Sequence, residues 1–223
     1  MAKKYEFTEE EHPSSIELKR IRALVNIPRH SVKAGDLGGW LKSEDNLSHD
    51  GDCWVGIEAC VINDAQVKED SIVTDRALVC GSAAISGRAR VIDNASVWDY
   101  AEIFDYSCVR GSAVVSNAAK VRNGALIADS AKIFDTVIIA ERAIISGQAV
   151  VRGSVFVGGG ARIRGLSELK GDFALCGYYD VCERKIYRSL TDFLPPSAHT
   201  STEILTEDIA LASALLHDYS SHG

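Results

Sequence analysis

Six histidines, His12, His30, His49, His199, His217 and His222, are the side chains of this 223-residue chain best suited to moving protons near neutral pH. None falls between residues 59 and 181. His49 sits in the stretch NLSHDGD, where Asp50 and Asp52 could orient its imidazole, so it is the one weak candidate for a general base. A plain structural role in a loop accounts for it equally well. The six cysteines (53, 60, 80, 108, 176 and 182) show neither CxxC spacing nor a disulfide framework and read as reduced, semi-apolar thiols. HxH and HExxH are both missing, so no metal site is expected. The glycines of VGGGARIRG (157–165) occupy repeat turns and form no phosphate loop, and no nucleophile elbow is present, so no cofactor is expected either. A net charge of −7 argues against general nucleic-acid binding. No apolar run has the length of a membrane span and the start MAKKYEFTEEE lacks a signal-peptide core, which together predict a cytoplasmic protein.

What must position these residues is a repeat. From Ala59 the chain reads ACVIND, AQVKED, SIVTDR, ALVCGS and onward in unbroken hexads to YDV at 179–181. The third position is Val, Ile or Leu in all 21 hexads, as expected for the inward side chain of a short strand. The first position is Ala or Ser in 17 of 21, which fits a crowded place beside a corner. The fifth is Asp, Asn or Gly in 18 of the 20 complete hexads, the residues that accept φ > 0. A corner at the end of every hexad gives a flat three-sided coil, three hexads to the turn. Coils stacked at about 4.8 Å then build a prism with apolar columns inside. Such a rod needs caps at both ends.

The two ends depart from the repeat. KYEF and IELKRIRALV alternate as short strands do, Leu47 and Cys53 fall on the small-residue phase and Val55 on the aliphatic one, and Trp40 and Trp54 are placed to close the top of the core. The predicted organisation is a capping region over 1–52, the β-helix over 53–181, a linker over 182–201 broken by Pro195 and Pro196, and a helical tail over 202–223. In that tail Thr206 suits an N-cap, and Ile209, Ala212, Leu215, Leu216 and Tyr219 share one helical face that would contact the bottom coil or a neighbouring subunit.

The hexad pattern resembles the hexapeptide-repeat family. The run RIRALVNIPRHSVKAGDLGGWLKSEDNLSHDGDCWV ahead of it resembles the YdcK-like hexapeptide proteins of bacteria and their phages. This resemblance covers roughly residues 5–181. It implies a left-handed β-helix, whereas the general crossover rule alone would favour the right hand. It also implies a transferase label that rests on likeness of fold, which does not establish chemistry. The fold class expected is thus mainly β: a left-handed parallel β-helix with an N-terminal cap and a short C-terminal helix. Acyltransferases of this architecture usually place a catalytic histidine near a coil edge beside an extruded loop, and the coils here hold neither.

The second and fourth hexad positions point outward and sort onto three faces. One carries Ile62, Leu78, Cys80, Trp98, Val114, Phe134 and Val150, an apolar stripe of the kind that marks an interface. The second carries Gln66, Lys68, Glu102, Phe104, Lys120 and Arg122 in its first coils and is mostly polar there. The third, with Ile72, Arg90, Ile92, Arg110, Leu126, Ile144, Arg162 and Arg164, is mixed. A homo-oligomer, dimer or trimer, is expected through the first face. Two functions fit. One is a non-catalytic scaffold that binds protein, for instance a phage or prophage protein that occupies and inhibits a host protein, with the acidic turns Asp75, Asp93, Asp99, Asp105, Asp129 and Asp135 facing a basic partner. The other is an acyltransferase whose site lies between subunits.

Overall fold

The computed structural model describes residues 3–13 and 15–193. They form a left-handed, three-sided parallel β-helix of about eight turns under an N-terminal cap. Most hexads contribute a two-residue strand whose second residue is inward and buried, as in Cys60–Val61, Leu78–Val79 and Ser96–Val97, and lower down two pairs of hexads merge into the nine-residue strands Val150–Gly158 and Glu168–Cys176. Each strand pairs in parallel with its counterpart on the next coil, so Val79, Val97 and Val115 stack in one column. Two amides per strand donate to the next coil, for example Cys60 N to Ala77 O at 3.0 Å and Ile62 N to Val79 O at 3.0 Å. The core is built of inward aliphatic residues, nearly all Val or Ile with Leu169 and Leu175 in the lower coils, buried beside small residues that are mostly alanine. Three of the four large first-position residues, Val137, Val155 and Phe173, stack on one another in three successive coils; the fourth, Tyr179, lies in another column below Ala161. The wider residues therefore fit together, and the lower prism tolerates them.

The corners explain the fifth-position preference. Asn63, Asp75, Asp93, Asp99, Asp105, Asn117, Asn123, Asp129 and Asp135 all have φ between 54° and 62°. In that left-handed region Gly, Asn and Asp cost least. Carboxylates do more there than tolerate strain. Asp75, Asp93, Asp99, Asp105, Asp129 and Asp135 each accept the backbone N–H of the corner one coil on, at Asp93, Gly111, Asn117, Asn123, Gly147 and Gly153 respectively. The acidic ladder is thus a structural device that stitches corner to corner, a role that its reading as a surface for a basic partner leaves out. Asp93→Asn should be nearly neutral, because an amide oxygen serves as acceptor just as Asn117 does for Asp135 N. Asp93→Ala should cost about 1–2 kcal/mol in chemical denaturation, from the lost bond and the unfavourable φ.

The cap is a sheet extension. Strands β1 (Tyr5–His12), β2 (Ser15–Ala23) and β3 (Leu37–Leu41) pair antiparallel, and β3 then pairs in parallel with Cys60–Val61. Its register is offset. Leu41 pairs with Val61 and Val55 with Val73, so the first step is longer than a regular coil by two positions. Leu47 likewise bridges to Val67 and so takes the aliphatic position, not the small-residue one expected for it. The extra length is absorbed in Ser48–Asp52, since Ser48 N donates to Val67 O but Cys53 N to Glu69 O. Tyr5, Ile21 and Ile27, almost wholly buried, close the top of the core together with Trp54. Trp54 and Trp40 both pair on the outward phase, with Ile72 and Cys60; Trp54 joins the core cluster, whereas Trp40, also expected there, is buried outside that cluster with Arg20 over its ring at 5.3 Å.

The motif residues of the cap are structural. Gly39 of DLGGW lies so near the next coil that a Cβ would fall 2.3 Å from Gly56 O and 2.5 Å from Ala59 O. Asn46 of DNLS is fully buried and fully bonded. Its Oδ1 accepts from Lys42 N and Ser43 N, and its Nδ2 donates to Asn63 O and Ala65 O. At the other end the winding runs past Val181. Ile186–Tyr187 pairs with Glu168–Leu169, and Tyr187 stacks on Phe193 at 4.4 Å, so the stretch expected to begin the linker at 182 is the bottom cap. The segment that would hold the C-terminal helix, with Ile209, Ala212, Leu215, Leu216 and Tyr219, lies outside the described residues.

Candidate interaction surface

The first side of the prism brings Ile62, Leu78, Cys80, Trp98, Val114, Phe134 and Val150 together. The strand pairs Cys60↔Leu78, Leu78↔Ser96, Ser96↔Val114, Val114↔Lys132 and Lys132↔Val150 set the second-position column. Two residues further along each coil, Ile62, Cys80, Trp98, Ser116 and Phe134 set the fourth-position column. Trp98 is 43% exposed, while the other six of the seven are half-buried by their neighbours in the two columns. Tyr100, 70% exposed and two residues from Trp98, widens the patch at the corner. Counting only second and fourth positions as outward misses it. Its signal is nonetheless there. The same corner on neighbouring coils holds Ser82 and Ala118, so an aromatic stands out. An exposed Lys132 stands within the second-position column between Val114 and Val150, and an Arg152–Glu168 ion pair makes the lower rim polar.

Large aromatics half in solvent beside β-branched residues give an interface core its usual composition, and a charged rim gives it an edge. A cysteine in the patch adds no reactivity. Burial pushes the thiols of Cys80, Cys60 and Cys108 above their ordinary value, with nearby carboxylates adding to the rise at Cys80 and Cys60.

His49 sits in the two-residue excursion of the cap. Its Nδ1 accepts the Lys4 N–H at 3.1 Å and its ring stacks on Tyr5, with centroids 4.4 Å apart. Its Nε2 is buried and has no hydrogen-bond partner. With Nδ1 occupied as an acceptor, a neutral ring carries its proton on Nε2, so no lone pair remains for a substrate. Of the two flanking acids, Asp52 is engaged elsewhere, pairing with Arg29 at 3.3 Å. His49→Ala should cost about 1 kcal/mol by leaving the Lys4 N–H without an acceptor, a loss readable in thermal unfolding. It should leave any binding by the first side unchanged.

The remaining described histidines lie in the cap as well. His12 meets Trp40 edge-on at 4.9 Å, and burial holds the His30 imidazole below its ordinary pKa. His199, His217 and His222 lie outside the described residues. Among the described residues no group of three or more His, Cys, Asp or Glu side chains is arranged to hold a metal, and no helix is long and apolar enough to cross a membrane.

No protein-family model matches the chain, and no characterised protein matches it in sequence.

Proposed function

We propose that this protein is a non-catalytic scaffold that works by binding protein through the first side of its prism, and that it first binds a second copy of itself. The observation that supports this reading most is the exposed Trp98 within a strip that keeps at least one apolar side chain on every coil from Ile62 to Phe134. A soluble monomer rarely leaves such a strip in water. The engaged Nδ1 of His49 and the loop-free coils weigh against proton transfer at this scaffold. The YdcK-like resemblance supports a bacterial or phage origin; the apolar first side supports a dimer or trimer, and the protein it would occupy is a host protein in the cytoplasm.

An acyl-coenzyme A turnover assay separates this from the transferase reading. The expected result is no turnover above background. Turnover that disappears in a folded His49→Ala variant would replace the scaffold with an enzyme.

A further inference from the structure

The second side carries an outward patch that behaves unlike the rest of the surface. Ile138, Ala140, Phe156, Ala174 and Cys176 occupy outward positions on three successive coils, in the register Ile138↔Phe156↔Ala174. Outward positions on the coils above, at Glu102, Phe104 and Lys120, are half-exposed. Ala140, Phe156 and Ala174 are instead 1%, 2% and 4% exposed. They form a cluster of their own, separate from the core, whose members all belong to this one side. Small residues make it a trough. Phe156 lies across Gly158, where a Cβ would fall 2.6 Å from its Cε1, and Ala140 and Ala174 floor the coils on either side. Three coils span about 10 Å, the width of an α-helix.

We propose that this trough seats the chain's own C-terminal segment, residues 206–219, docked as an amphipathic helix. Position favours it first. Phe193, the last described residue, packs beneath the lowest coil against Phe173, Tyr179 and Tyr187, and Phe173 directly precedes Ala174, so the described chain ends one coil end away from the trough. Length allows it, because the 194–205 stretch can reach up to about 40 Å, far more than three coils need. Chemistry matches as well. The segment has an apolar face of Ile209, Ala212, Leu215, Leu216 and Tyr219 for the apolar floor. Charge agrees with both. Residues 194–223 contain Glu203, Glu207, Asp208 and Asp218 and no Lys or Arg, while Lys120 and Arg122 stand one coil above Ile138 and Ala140. Docking of the tail does not depend on self-association through the first side.

Hydrogen-exchange mass spectrometry on the full chain tests it, together with alkylation of Cys176 followed by peptide mapping. Amides of 206–219 should be protected to the same degree at low and high protein concentration. Ala174→Arg, which fills the trough from an outward position, should remove that protection. Leu215→Asp with Leu216→Asp should remove it too, and should speed Cys176 alkylation about tenfold or more while Cys80 on the first side stays unchanged. Protection that appears only at high concentration would assign the trough to a second copy's tail and overturn the proposal. Unprotected amides in the wild type, protection that survives Ala174→Arg, or an equal rise at Cys80 would overturn it as well.

Discussion

Val109→Asp is expected to unfold the middle of the prism. Val109 is fully buried and pairs with Val91 above and Ile127 below, so an aspartate there would face a column of aliphatic side chains. Burying an unpaired carboxylate, or holding it protonated, costs several kcal/mol. For a chain of this size that lowers Tm by about 10 °C or leaves insoluble protein. Arg110→Asp is the control one residue away. Arg110 is exposed, so its replacement should change stability by less than about 0.5 kcal/mol. The pair tests phase directly, because moving one residue along a strand exchanges inside for outside. Equal melting of the two variants would contradict the assigned inward set.

Most of this architecture was legible in the sequence because the repeat states its own geometry. Third positions such as Val61 and Val79 needed only β-branched bulk, and fifth positions such as Gly81 and Asp93 needed only a tolerant φ. What the sequence withheld came from relations between coils. That Asp93 reaches Gly111 N follows from stacking one corner on another, and composition alone reads the same aspartates as a charged surface. The register offset of β3 depends on how Ser48–Asp52 folds back, and a fixed phase carried upward from Ala59 misplaces Leu47. Phe156 was silent for a related reason. Its position is outward by phase, and only three-dimensional packing reveals it as buried.

The candidate site was legible in a different sense. Counting outward residues brought Ile62, Leu78, Cys80, Trp98, Val114, Phe134 and Val150 onto one face, and the fold sets them side by side. It omitted Tyr100, a sixth-position residue at the corner, because only second and fourth positions were counted as outward. A structural role for His49 was one of the readings the sequence offered, but its partners could not be read. Its environment is built by Lys4 and Tyr5, which lie far from it in sequence and are brought over it by the folding of β1.

Whether a second copy covers the first side is tested most directly by a variant that carries Trp98→Glu together with Phe134→Glu. The two residues lie two coils apart in one column, about 10 Å by strand spacing, with Ser116 between them and Val114 beside. Both side chains project away from the core, so glutamates there should leave the prism folded. Removing a large aromatic from an interface centre commonly costs more than about 2 kcal/mol, and two buried like charges facing their symmetry copies add repulsion. Light scattering coupled to size exclusion is the measurement. The account predicts a dimer or trimer for the wild type and a folded monomer for the double variant. A wild type that stays monomeric at high concentration, or an oligomer that the double change leaves intact, would contradict it.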